Sequence, residues 1–166
     1  MKNINIRKIT SGDAKTLAYI QTESWKAAFK NIIPDDLLTK CTELSRAEKM
    51  YERDLENNLG NGCILEINGS PHCIAYWDAT RESDMPGYAE LICIHSLPDG
   101  WRRGYGSMMM ERVLGDIKDA GFGKVMLWVF EDNARAIGFY RKHGFLANGK
   151  RKEALGAVEI MYEKEL

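Results

Sequence analysis

Leu97-Pro98-Asp99-Gly100-Trp101-Arg102-Arg103-Gly104-Tyr105-Gly106-Ser107 joins two stretches of opposite character. The extended apolar run ELICIHS (90–96) precedes it, and SMMMERVLGDIKDAG (107–121), with helix-like spacing of its apolar residues, follows it. Two glycines and two arginines therefore stand where a strand hands over to a helix. Glycine lets successive backbone N–H groups converge on one concavity. The helix behind contributes unpaired N–H groups and roughly +0.5 charge at its N-terminus. Such a turn suits a phosphate or pyrophosphate; it is equally compatible with a plain tight loop carrying solvated arginines. It is neither of two familiar phosphate loops. Met109 stands where a dinucleotide fingerprint needs its third glycine, and no Gly-Lys-Ser/Thr follows.

Working outward, INIRKI (4–9) alternates as a first strand, and Ser11-Gly12-Asp13 can cap a helix over 14–29. Pro34 opens a turn and short helix, and 44–59 reads as a charged amphipathic helix. CILEI (63–67) and HCIAYWDAT (72–80) flank Asn68-Gly69-Ser70, a hairpin signal. After the polar loop 81–86, GYAELICIHS (87–96) is a long strand. Its helix 107–120 closes at Gly121, and KVMLWVF (124–130) is apolar throughout, as in a strand buried on both faces. A helix over 133–143 closes at Gly144, and FLANGKRK (145–152) and GAVEIMYEKE (156–165) supply two last strands. The 87–130 unit is a strand-helix-strand crossover, which is right-handed and presents ligand loops at the carboxyl ends of its strands.

The run RRGYG (102–106) behind a strand, with LWVFEDNARAIGFYRKHGF (127–145) downstream, resembles the GCN5-related N-acetyltransferase (GNAT) family. The likeness extends over about residues 4–163 and is specific over about 87–146. The resemblance implies an α/β (α+β) fold: a central, mixed, mostly antiparallel seven-stranded sheet, its fourth and fifth strands splayed, flanked by about four helices. It implies acetyl-CoA as co-substrate and transfer of acetyl to a primary amine of a small molecule or protein. Gly104 and Gly106 fill the glycine places of the family loop, while Trp101 replaces its usual Gln or Arg. On the same basis the backbone of Ile94, His95 and Ser96 holds pantetheine, the loop Arg102 to Ser107 (Arg102, Arg103, Gly104, Tyr105, Gly106, Ser107) docks the cofactor, with Arg102 and Arg103 at its pyrophosphate or its ribose phosphate, and Asn133 touches the cofactor. Tyr140 then protonates the departing sulfur. The alternative from another class is a regulatory module that binds acyl-CoA without turnover.

The chemistry needs an acid, a base and a positioned amine. Asn133 and Tyr140 are seven residues apart, two helical turns, and share a helix face; Asn133 also suits a helix N-cap. Glu90, eleven residues before Trp101, matches the spacing of the glutamate in the histone-acetyltransferase branch of the family. Flanked by Ala89, Leu91 and Ile92, its carboxyl is expected to have a raised pKa, as suits a base. His95 is the rival base, with Asp78 and Glu23 further off, and strand alternation puts His95 on the face opposite Glu90. Trp25, Phe29, Tyr76 and Trp77 are candidate walls for the acceptor, or core.

The 166 residues suit a single domain spanning 1–166, with an ordinary soluble composition. No apolar run reaches the ~20 residues of a membrane span. Cys41, Cys63, Cys73 and Cys93 form no Cys-x-x-Cys pair, which points to free thiols in the cytoplasm and to no metal site. Residues 101–152 hold eleven Lys/Arg against five Asp/Glu, a balance of +6, whereas the rest holds twelve against nineteen, a balance of −7. A basic edge beside an acidic remainder suits a polyanionic co-substrate and a cationic acceptor. No arginine-rich arm or aromatic stacking pattern points to nucleic acid. The chain is read as a monomer or homodimer without a membrane or nucleic-acid partner.

Overall fold

Each apolar run becomes a strand where its side chains meet a helix on one face or both. The computed structural model describes residues 2–166. In chain order the elements are β1 (Ile4–Lys8), α1 (Ala14–Ala28), α2 (Asp35–Cys41), α3 (Leu44–Glu56), β2 (Asn61–Ile67), β3 (Ser70–Ala79), β4 (Tyr88–Ser96), α4 (Tyr105–Asp119), β5 (Lys124–Phe130), α5 (Ala134–Lys142), β6 (Leu146–Ala154) and β7 (Ala157–Glu165). The sheet runs β1-β2-β3-β4-β5-β7-β6, with β4–β5 the parallel pair and the other pairings antiparallel. Among the described residues five helices flank it rather than about four, because Asp35–Cys41 makes a full element. Helix α4 begins at Tyr105, two residues before the sequence places it.

Alternation sorts the core into two layers. Leu65, Ala75, Leu91, Val125 and Leu127 face α4, whose Met109, Met110, Val113 and Ile117 are fully buried. Ile64, Ile74 and Tyr76 face α1 and α3, meeting Leu17, Ile20 and Tyr51. The Asn68-Gly69 hairpin turn has φ of 52° and 81°, the doubly left-handed geometry that tight antiparallel turns select. All four cysteines are free, Cys63 and Cys73 being buried.

Regular pairing breaks at two places near the centre of the sheet. β4 pairs with β5 only at Tyr88↔Lys124, Ala89↔Val125 and Glu90↔Met126, although β4 stays on β3 as far as Ser96 and β5 stays on β7 as far as Phe130. The strands therefore splay beyond Glu90 and leave a cleft between Leu91–Ser96 and Leu127–Phe130. In β4, Cys93 pairs with Tyr76 and Leu91 with Trp77, so Ile92 is an inserted residue, a β-bulge.

Candidate active site

Beyond the splay, β4 leads into the loop and α4, and β5 leads into α5, so both helices start at the open end of the cleft. Gly104, at φ 88°, caps α4 in the left-handed region, and Arg102 also takes a positive φ, 63°. The first N–H groups of the helix have no partner within it. Arg102 and Arg103 are exposed beside them. Gly106 faces α5: a Cβ there would stand 3.3 Å from Phe139. Ser107 Oγ meets His143 Nε2 at 3.0 Å, which ties the two helix ends together. A cradle of free amides, two glycines and two arginines fits the diphosphate of coenzyme A. Replacing Gly104 with Ala is expected to cost roughly 1–2 kcal/mol by forcing a Cβ into the left-handed region. Among the described residues no atom lies within 4 Å of that Cβ, so a fall in urea midpoint would report backbone cost alone.

Trp101 links the two sides of the cleft mouth. Its indole Nε1–H donates to the Ser96 carbonyl at 3.0 Å, and the Arg135 guanidinium lies 3.5 Å from the ring centroid. A cavity of about 390 Å³ opens beside this stack, between Asn31 and Ile32 on one side and Asn133 and Arg135 on the other. Asn133 caps α5, its side-chain oxygen accepting from the Ala136 N–H at 3.2 Å. Tyr140 packs near Phe145, ring centroids 5.9 Å apart. Burial, with the Cys93 thiol nearby, pushes its phenol above the ordinary range, against the pull of Arg135. It stays protonated, able to donate. Burial also pushes the Cys93 thiol up to about 12.

The carboxylate and imidazole expectations need correction. The bulge at Ile92 shifts the phase of β4, so Glu90 opposite Asp78 and His95 opposite Ile74 lie on one face, not on opposite faces. Burial pushes the Glu90 carboxyl up, but the Arg81 guanidinium and backbone N–H more than offset this, and its pKa lies below the usual carboxylate value, not above it. Arg81 Nε donates to Glu90 Oε2 at 3.0 Å and its N–H to the same oxygen at 3.2 Å. His95 is pushed down to about 4 by burial and by Arg135, and its Nε2 accepts from Trp25 Nε1–H at 3.1 Å. It is a neutral acceptor with its lone pair occupied. Nothing in the sequence around Arg81 signals this clamp.

Trp25 and Phe29 lie on the same face as His95. The Trp25–Phe29 and Phe29–Phe130 ring centroids are each 5.0 Å apart. Phe130 carries no mark in the sequence, because a fully apolar strand does not show which residue ends at a cleft. Trp77 is not brought to this group. It faces α4, packed against Phe122. It lines a larger cavity, about 810 Å³, with Lys8, Asn61 and Asp119 at the other end of the sheet, remote from the loop and Tyr140.

Residues 27–145 match the family model described as Acetyltransferase (GNAT) family. The chain is 27% identical over 141 residues to the uncharacterized N-acetyltransferase YuaI of Bacillus subtilis, covering 84% of this chain and 79% of that one. It is 23% identical over 167 residues to the spermidine N(1)-acetyltransferase of Thermoplasma acidophilum, with 98% of each covered. Its fold matches the PaiA N-acetyltransferase of Thermoplasma acidophilum, solved in complex with coenzyme A, at a TM-score of 0.80 and 20% identity, over 99% of each chain. The chain belongs to the acetyltransferase (GNAT) family and is an acetyl-CoA-dependent N-acetyltransferase.

Proposed function

We propose that the enzyme transfers acetyl directly from acetyl-CoA to a primary amine of a small molecule or protein, with Tyr140 as general acid. The observation that carries this reading is the splay of β4 from β5 beyond Glu90, with Tyr140 and the Gly104 loop on the helices that begin at its open end. The edge of β4 that β5 leaves beyond Glu90, at Ile94, His95 and Ser96, offers backbone groups to pantetheine, the Ser96 carbonyl already accepting from Trp101, while Arg102 to Ser107 takes the diphosphate and Asn133 borders the path between them. Trp25, Phe29 and Phe130 wall the acceptor side. The whole-length similarity to a spermidine acetyltransferase favours a small-molecule amine as acceptor. Glu90, its carboxyl held below the usual range by Arg81, is an ion-paired group at the root of the cleft. Proximity of amine and thioester is the larger contribution, since well-oriented reactants can gain ~7–11 kcal/mol.

The test is a thermal-shift titration with acetyl-CoA, CoA and ATP. Free ligand at about 100 times its Kd stabilises the fold by roughly 2.7 kcal/mol. Acetyl-CoA and CoA are expected to raise Tm, and ATP to leave it unchanged. A panel of primary amines is then expected to release the CoA thiol. Ligand binding without thiol release from any amine would favour a regulatory module instead.

A further inference from the structure

We propose that Glu159 of β7 is the group that receives the proton of the acceptor's ammonium, an assignment that rests on the acetyl-transfer reading above. Glu159 lies directly across from Phe130, the last residue of β5, and so shares the face on which Phe130 meets Phe29 and Phe29 meets Trp25. That is the acceptor wall. Its other cross-strand neighbour, Lys152, reaches it at 3.7 Å, but the Lys152 ammonium also rests 4.1 Å from the centre of the Trp128 ring. Glu159 is thus held loosely, at 18% side-chain exposure, whereas Glu90 is clamped by Arg81 at 3%. Two carboxylates at one cleft, differently held, divide two tasks.

The charged groups facing Glu159 are Lys152 of β6, Arg81 of the β3–β4 connection and Glu90 of β4; the flanking β5 presents Phe130 and Trp128, and the cluster from α1 and α2 presents Trp25, Phe29, Leu37 and Leu38. Burial raises the Glu159 carboxyl, and Glu90 raises it further, against Lys152 and Arg81. A raised carboxyl is the stronger base of the two.

The ammonium gives one proton to the Glu159 carboxylate, directly or through one water. The neutral nitrogen forms a C–N bond to the thioester carbon, and the C–S bond breaks. The sulfur takes the Tyr140 proton, and the second nitrogen proton returns to the Tyr140 oxygen. Glu159 then loses its proton to solvent.

The test compares wild type with Glu159→Gln on two acceptors across pH. The first is an aliphatic diamine, protonated at the assay pH; the second is hydroxylamine, already neutral there. Glu159→Gln is expected to lower kcat/KM for the diamine by about 100-fold or more and to remove the acid limb of its pH profile. Turnover of hydroxylamine and the acetyl-CoA thermal shift are expected to stay near wild type. Equal losses on both acceptors, or an intact acid limb, would overturn the assignment. If wild type binds acetyl-CoA yet acetylates neither amine, the small-amine acceptor reading fails first and carries this one with it.

Discussion

Replacing Tyr140 with Phe is expected to lower kcat for amine acetylation by about 100- to 10,000-fold, the usual contribution of a positioned acid, and to leave the acetyl-CoA thermal shift unchanged. Helix α5 sets the geometry. Asn133 caps it, and two turns on, the Tyr140 ring packs near Phe145. Phe retains that packing, so the substitution removes the hydroxyl alone. The departing thiolate belongs to a thiol with a pKa near 8.5 and gains from a proton at the moment C–S cleavage puts charge on sulfur. Burial holds the Tyr140 proton in place until then. Thiol-release kinetics at saturating acetyl-CoA, beside a binding titration, check both halves. Unchanged kcat would remove Tyr140 from the acid role.

The second large effect is on stability. Arg81→Met is expected to destabilise the fold by roughly 2–3 kcal/mol at neutral pH. Removing one partner of a buried ion pair costs about 3–5 kcal/mol because the other charge is left uncompensated. Glu90 is 3% exposed but Arg81 is 68% exposed, and the solvent reaching Arg81 scales the loss down. The pH dependence is set by the sign of the shift. In wild type the Glu90 pKa is lowered on folding, so its contribution is present above the unfolded carboxyl pKa and is lost as pH falls through the folded one. Without Arg81, burial outweighs the remaining pull of Lys152 and raises the Glu90 pKa, and the penalty then applies to the ionised form. The two proteins should therefore converge in stability as pH falls toward about 4. Urea midpoints across that range check it; a difference independent of pH would mean that Arg81 acts through packing alone.

Several features are legible in the sequence because they are local. The Asn68-Gly69 hairpin, the helix ends at Gly121 and Gly144 with φ of 92° and 84°, and the glycine-rich turn between β4 and α4 each depend on conformations that only a few residue types tolerate. Most strands come from apolar runs, alternating in β1 and continuous in β5, and the pairing of Asn133 with Tyr140 from helical spacing. The short α2 reads only as a turn with a brief helix, because seven residues carry little periodicity.

The sequence by itself determined the strands, the helices, the glycine turn before α4 and the shared helix face of Asn133 and Tyr140, since each depends on neighbours within a few positions. Tertiary structure decided what the remaining side chains do. The bulge at Ile92 exists only against β3, and it brings Glu90 and His95 to one face. The fate of Glu90 was decided by Arg81, nine residues away, that of His95 by Trp25, seventy residues away, and that of Trp77 by the register that turns it toward α4. The cleft itself is a departure from pairing between two strands that each stay paired along their other edge. Charge, proton affinity and access are set by whatever the fold packs alongside a group, and no local pattern records that.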